Sequence, residues 1–72
     1  MIFTRKVKYP IYSAVYAYND MQDFYAIENY TCKTVSDLDE FALDVMEQQG
    51  LRPPYHRISA HIVGYEYIRE KK

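Results

Sequence analysis

The side chains best suited to covalent or metal chemistry in this chain are one cysteine, Cys32, and two histidines, His56 and His61. A thiol and an imidazole can form a nucleophilic pair, but the pair also needs an oxyanion donor and a group that orients the histidine. Nothing in the sequence places such groups beside Cys32, which is more simply a small buried apolar residue. The histidines stand five residues apart in a predicted strand, so they should point to opposite faces and not share a metal ion. We therefore predict a protein that is not an enzyme and has no metal or cofactor.

Tyrosine is the strongest compositional anomaly, with nine copies in 72 residues and four of them between residues 9 and 18. Its ring is large and apolar while its hydroxyl tolerates water, so tyrosine suits protein interfaces and can also stack on nucleic-acid bases. The alternative is that these rings are simply half-buried on a small sheet, because tyrosine favours strands. The candidate contact residues are Tyr12, Tyr16, Tyr18, Tyr30, Tyr65 and Tyr67.

The charges are separated along the chain, although the formal net charge is only −1. Residues 20–47 hold eight acidic residues and one basic residue, whereas the rest of the chain holds eight basic and two acidic ones. The acidic residues of the predicted helix have no lysine or arginine within that helix to pair with. They form either a solvated face or an acidic surface that competes for a basic, nucleic-acid-binding groove. These residues are Asp37, Asp39, Glu40, Asp44 and Glu47.

Two stretches rich in β-branched and aromatic residues predict a β-hairpin. The first strand covers residues 11–18, turn formers occupy residues 19–23, and the second strand covers residues 24–32. Residues 2–8 could extend the first strand, with Pro10 at a kink or an edge position.

The register of this hairpin decides which side chains share a face. Pairing Tyr18 with Phe24 brings Tyr12 opposite Tyr30, because antiparallel partners keep a constant sum of residue numbers. The even-numbered tyrosines then share one face, while odd-numbered side chains such as Val15 are better shaped to pack beneath a helix. We therefore expect an aromatic face opposite the helix, completed by the tyrosines of the third strand.

The clearest element is an amphipathic helix over residues 37–49, in which apolar residues recur at helical spacing. Ser36 is the predicted N-cap, with Asp39 three residues later as an acidic variant of the capping box. Gly50, which precedes two prolines closely, predicts a left-handed cap at the end of the helix.

A third strand follows over residues 55–69, with a bulge or bend expected at Gly64. Residues 1–72 are too few for more than one small domain. The element order predicts an α+β fold of the β-β-α-β type. Its three-stranded, mostly antiparallel sheet should carry one amphipathic helix on one face.

Composition and targeting signals predict a cytoplasmic protein. Apolar residues make up 49% and charged residues 26%, the balance of a soluble globular domain. A single cysteine excludes an intrachain disulfide framework, and neither a signal peptide nor an apolar run of about 20 residues is present.

The excess of tyrosine and the separation of charge along the chain together predict a protein-interaction module. It would act as an inhibitor or regulator of a host or defence complex. Small proteins of this kind are often encoded by phages or mobile elements, which is an association only. The contacts would involve the acidic helix and the tyrosine face, and that face could also form a homodimer. The alternative is a single-stranded nucleic-acid-binding module that stacks bases on sheet tyrosines, supported by basic clusters at both ends of the chain. The net charge makes nucleic acid the less favoured partner, and no membrane partner is expected.

Overall fold

A computed structural model describes the backbone of residues 4–71 and the side chains of residues 6–69. The central strand of its three-stranded sheet is the first one, and it pairs antiparallel with both others. This arrangement confirms the predicted α+β fold with one helix, and it confirms the strand extension over residues 4–8; residues 2 and 3 lie outside the described part. The elements are β1 (Thr4–Tyr18), β2 (Asp23–Thr31), α1 (Val35–Gln48) and β3 (His56–Lys71).

The hairpin register differs by one residue from the prediction near the turn. Ala17, not Tyr18, stands opposite Phe24. The turn holds three consecutive residues with positive φ, residues 19–21, which closes the hairpin one residue earlier than expected. A bulge around Asn29, whose φ is 55°, then inserts one residue into β2. Beyond that bulge, Tyr12 pairs with Tyr30 as predicted.

The helix covers the face that was expected to stay open. The side chains of Tyr12, Ala14 and Tyr16 are buried beneath α1. A slip of one residue moves a strand's side chains to the other face, so the observed register brings Ile27 beside Ala14 on this side. The opposite face of β1 includes the polar Ser13, so it offers the helix less apolar area than the face that carries Tyr12 and Tyr16. The predicted tyrosine face opposite the helix is therefore wrong.

The remaining core comes from the predicted apolar stripe of α1. Leu38, Ala42 and Met46 have no exposed surface. The small side chains of Ala42 and Ala14 lie among large ones, so the helix can lie close to the sheet while Tyr16 fills the space beside them.

The helix begins two residues before the predicted start, and its N-cap is Thr34 instead of Ser36. The Thr34 hydroxyl accepts a hydrogen bond from the Asp37 backbone N–H at 3.2 Å, and the Asp37 carboxylate accepts one from the Thr34 N–H at 3.2 Å. This reciprocal capping box uses Asp37 in place of Asp39. At the other end, Gly50 has a φ of 74° and the Leu51 N–H donates to the Met46 carbonyl, which confirms the predicted left-handed cap.

The two candidate caps can be distinguished by substitution. We expect Thr34→Ala to lower the free energy of unfolding by about 1 kcal/mol, because it removes an acceptor from the first turn. Ser36→Ala should change it by less than about 0.5 kcal/mol, because Ser36 is exposed within the helix. Urea denaturation of both variants measures the difference. The reverse ranking would mean that the helix starts at Ser36 in solution.

Strands β1 and β3 continue well beyond β2 and form a two-stranded arm, here defined as residues 4–10 and 65–71. The arm contains seven register pairs, from Thr4–Lys71 to Pro10–Tyr65, and gives the molecule a long axis of 52 Å. Pro10 explains why β2 does not continue alongside the arm. Its carbonyl accepts from the Cys32 N–H at 3.3 Å, so its nitrogen, which has no hydrogen, also faces β2. The predicted bulge is confirmed beside Gly64, where β3 holds one extra residue opposite β1.

Candidate functional site

The tyrosines of the predicted contact face do not lie on one surface. Tyr12 and Tyr16 expose only 7% and 2% of their area because α1 covers them, so neither is available to a partner in this fold. Tyr18 and Tyr30 are half-buried and pack against the core. The role assigned to Tyr12 and Tyr16 therefore has to be corrected from surface contact to core packing.

Tyr65 and Tyr67 differ from the other four because they lie on the arm, where they expose 54% and 65% of their area. The Lys8 ammonium lies over the Tyr65 ring at 4.5 Å from its centroid, which is a cation–π contact. Opposite partners in an antiparallel pair share a face, so Lys8 lies beside Tyr67 and Lys6 beside Arg69. The arm therefore has a cationic and aromatic face, formed by Lys6, Lys8, Tyr65, Tyr67 and Arg69.

The buried hydroxyl of Tyr16 belongs to a network that connects three elements. It donates to Asp39 Oδ1 at 2.6 Å, and Arg57 donates to Asp39 Oδ2 at 2.6 Å. Burial, followed by the hydrogen bond to Asp39, raises the pKa of Tyr16. Both carboxylate oxygens of Asp39 are therefore occupied by partners from β1 and β3. The prediction that Asp39 belongs to a free acidic surface is wrong. The sequence pattern of α1 could not show this, because both partners lie far from Asp39 along the chain.

The other four predicted carboxylates of the helix do lie together. They are three, four and three residues apart, a spacing that places them on one stripe of α1. The stripe lines an open groove of about 760 Å³, here called the acidic groove. Its lining residues are Asp37, Glu40, Asp44 and Glu47 with Tyr30, Cys32, Phe41 and Leu43.

The apolar part of the acidic groove is a stacked pair of rings. Tyr30 of β2 and Phe41 of α1 are 3.9 Å apart between centroids, with ring planes 7° from parallel. Phe41 is one of the apolar residues that recur at helical spacing in α1, so the sequence predicts it in the core. Its role in the groove depends on how β2 lies against α1. Leu43 exposes 40% of its area beside the carboxylates. The groove thus offers both negative charge and aromatic surface.

Cys32 lies at the bottom of this groove and is buried. Its thiol donates to the Thr34 carbonyl, with sulfur and oxygen 3.3 Å apart. Burial, and then the nearby Asp37 carboxylate, raise the pKa of Cys32. An activated nucleophilic cysteine has a lowered pKa, so the surroundings of Cys32 are those of a structural residue.

The carboxylate stripe costs helix stability. Like charges three or four residues apart repel by about 0.2–0.5 kcal/mol per pair, and α1 has three such pairs. Its last turn contains no basic residue, although the helix dipole favours a cation there. None of the four stripe carboxylates has an ion-pair partner among the side chains of residues 6–69. A cationic partner would relieve this repulsion.

The sheet face opposite α1 has a smaller depression of about 300 Å³, whose rim includes Ser13, Glu28 and His61. A bulge at Ile58 brings His56 and His61 onto this same face, opposite Ala17 and Ser13, so the prediction that they point to opposite faces is wrong. Within the described residues, no group of three or more His, Cys, Asp or Glu side chains is positioned to hold a metal ion.

Comparison with protein-family models, with curated proteins and with solved structures finds no match to this chain. In the part of the chain that the structure describes, no helix combines the length and apolar character needed to cross a membrane. The function must therefore be inferred from the acidic groove and the arm themselves.

Proposed function

We propose that this protein is a non-enzymatic interaction module, an inhibitor or regulator that docks its acidic groove onto a basic surface of a host or defence complex. The observation that carries the proposal is the stripe of four carboxylates beside the Tyr30–Phe41 stack, none of which forms an ion pair with a described side chain. Protein surfaces that bind lysine- or arginine-rich segments combine negative charge with aromatic area, because the cation's alkyl stem also needs an apolar contact.

The strand next to the acidic groove is suited to binding a partner segment in an extended conformation. β2 is an edge strand, because the sheet order is β2-β1-β3, and its outer N–H and C=O groups have no strand neighbour within the described residues. Such an edge can accept an added strand from another chain. A basic segment paired with β2 would then place its side chains next to the carboxylates of α1.

A second candidate function, single-stranded nucleic-acid binding, is favoured by one observation. Tyr65 and Tyr67 are exposed beside Lys8 on the arm, which is the combination that stacking platforms use. Two of the even-numbered strand tyrosines expected to contribute, Tyr12 and Tyr16, are buried. The platform is therefore smaller than the sequence predicted, and this function is the less favoured one.

The proposal is tested by affinity capture from cells of the source organism. We expect the wild-type protein to retain a basic protein that Glu40→Lys combined with Asp44→Lys loses, with a decrease of at least about tenfold in the retained amount. Quantitative mass spectrometry of the captured proteins gives this measurement.

The matched control is Asp20→Lys combined with Glu66→Lys. Both residues are exposed, lie outside the acidic groove and outside β2, and give the same change of charge. This control should retain the partner. Equal retention by the groove variant and the wild type would refute docking through the acidic groove, and capture of RNA or DNA that depends on Tyr67 would favour the second candidate.

A further inference from the structure

The acidic groove and the cationic face of the arm lie on the same side of the sheet. Side chains of β1 alternate without interruption, so Lys8 and Lys6 share the side of Tyr12, which α1 covers. The helix covers only the half of the sheet that includes β2. Within residues 4–71 no helix lies above the arm half, and the exposed rings of Tyr65 and Tyr67 lie there. One side of the molecule therefore consists of a raised acidic half and a bare cationic half.

The like charges of the cationic face repel one another, as those of the carboxylate stripe do. Lys6 and Arg69 are directly opposite each other in the register, and like charges in that position destabilise a strand pair. Among the described side chains of the arm, the one carboxylate is that of Glu66. It lies on the other face, where the Thr31 hydroxyl donates to it at 2.6 Å. Both charged surfaces thus lack counter-charges within the described side chains of their own copy.

The two surfaces also match in dimensions. The seven residue pairs of the arm span about 23 Å, and same-face residues of a strand recur every 6–7 Å or so. The carboxylate stripe runs about 15 Å along α1, with steps of about 4.5–6 Å between successive carboxylates. Cations and rings of the arm can therefore meet successive carboxylates and the Tyr30–Phe41 stack.

We infer that the occupant of the acidic groove, in the absence of a target, is the arm of a second copy of this chain. Two copies turned face to face about a two-fold axis place each helix over the bare arm of the other, so both contacts form at once. The inference rests on the proposed function, because it needs the acidic groove to bind cationic segments.

A second copy accounts for more of the structure than a nucleic acid does. A phosphate backbone would be attracted to the arm but repelled by the four carboxylates on the same side of the sheet. The arm of another copy brings cations to the carboxylates and carboxylates to the cations, so it relieves the repulsion within both surfaces at once. The dimer also masks the acidic groove, so a basic target must displace the arm before it can dock.

The inference is tested by exchanging the charges of the two surfaces. The arm variant carries Lys6→Glu, Lys8→Glu and Arg69→Glu, and the groove variant carries Glu40→Lys, Asp44→Lys and Glu47→Lys. We expect the wild type to sediment as a dimer at low salt, and each variant alone to associate at least about 100-fold more weakly. An equimolar mixture of the two variants should form a heterodimer, because each arm again meets a groove of opposite charge.

Circular dichroism first establishes that both variants are folded, which we expect because all six side chains are exposed. A wild type that stays monomeric at low salt, or a mixture that does not form the heterodimer, would overturn the inference. A monomer that binds oligonucleotides through Lys6 and Lys8 would assign the arm to nucleic acid instead. Failure of the dimer inference can be distinguished from failure of the proposed function. The arm variant keeps an intact groove, so it should capture the basic partner at least as well as the wild type.

Discussion

Tyr16→Ala is expected to lower the free energy of unfolding by about 3–5 kcal/mol, a large share of what keeps the protein folded at 25 °C. Tyr16 is the largest of the fully buried side chains, and its removal leaves a cavity between β1 and α1. A domain of this length has a total stability of only about 4–11 kcal/mol. Urea denaturation followed by circular dichroism measures the loss.

The matched control for this substitution is Tyr67→Ala, which removes the same atoms from a ring that is 65% exposed. It should cost less than about 1 kcal/mol, because little buried area is lost. Similar stabilities for the two variants would show that Tyr16 is not in the core. Loss of partner binding in Tyr16→Ala alone would say nothing about a contact surface, because the substitution destabilises the whole fold.

The hydroxyl of Tyr16 also links stability to alkaline pH. Its folded pKa is raised by burial and by the hydrogen bond to Asp39, whereas an unfolded tyrosine ionises near pH 10. The stability that the neutral Tyr16 hydroxyl gives the fold is therefore fully present below about pH 10 and is lost as the pH rises above that value. Tyr16→Phe should show a smaller loss of stability between neutral and alkaline pH than the wild type.

Asp44→Lys is expected to make the protein more stable while weakening its binding of a basic partner. The substitution turns two repulsive pairs, with Glu40 and Glu47, into attractive ones, and lysine is also the better helix former. The helix should gain about 1 kcal/mol, even though the exposed hydrogen bond from Gln48 to Asp44 is lost. For a domain of this size, that gain corresponds to a rise of about 4–8 °C in the midpoint of thermal unfolding.

The affinity for a basic partner, or for the arm of a second copy, should fall by about tenfold or more, because the new lysine lies inside the acidic groove. Asp20→Lys is the control with the same change of charge, and it lies in the hairpin turn, outside the acidic groove and outside β2. Opposite signs for stability and binding would identify the stripe as a functional surface that costs stability. If Asp44→Lys left both quantities unchanged, the carboxylates would be an ordinary solvated face.

Local patterns in the sequence predicted the elements and the architecture. The spacing of the apolar residues identified α1, and Gly50 identified its end, because both signals come from residues within one or two turns of each other. The N-cap was missed by two residues because Ser36 and Thr34 are both good capping residues, and the choice depends on which hydroxyl reaches a free N–H.

The site was predicted only in part. The carboxylates of the acidic groove follow from their spacing along one helix, so Asp37, Glu40, Asp44 and Glu47 could be found from the sequence. Asp39 belongs to the same sequence pattern, but Tyr16 and Arg57, which come from two different strands, occupy it. The groove's aromatic pair was missed for the same reason, since Tyr30 and Phe41 meet only after β2 and α1 pack together.

By itself the sequence determined that a short chain with one amphipathic helix and three strands would leave part of its sheet uncovered. It also determined that acidic and basic residues would lie in different parts of the chain. Only the tertiary structure decided which face the helix covers. A turn that closed one residue earlier brought Ile27 onto the face of Tyr12 and Tyr16, and the helix packs on that face. The physical reason is the two-residue period of a strand: a shift of one residue moves every side chain of the shifted strand to the other face of the sheet.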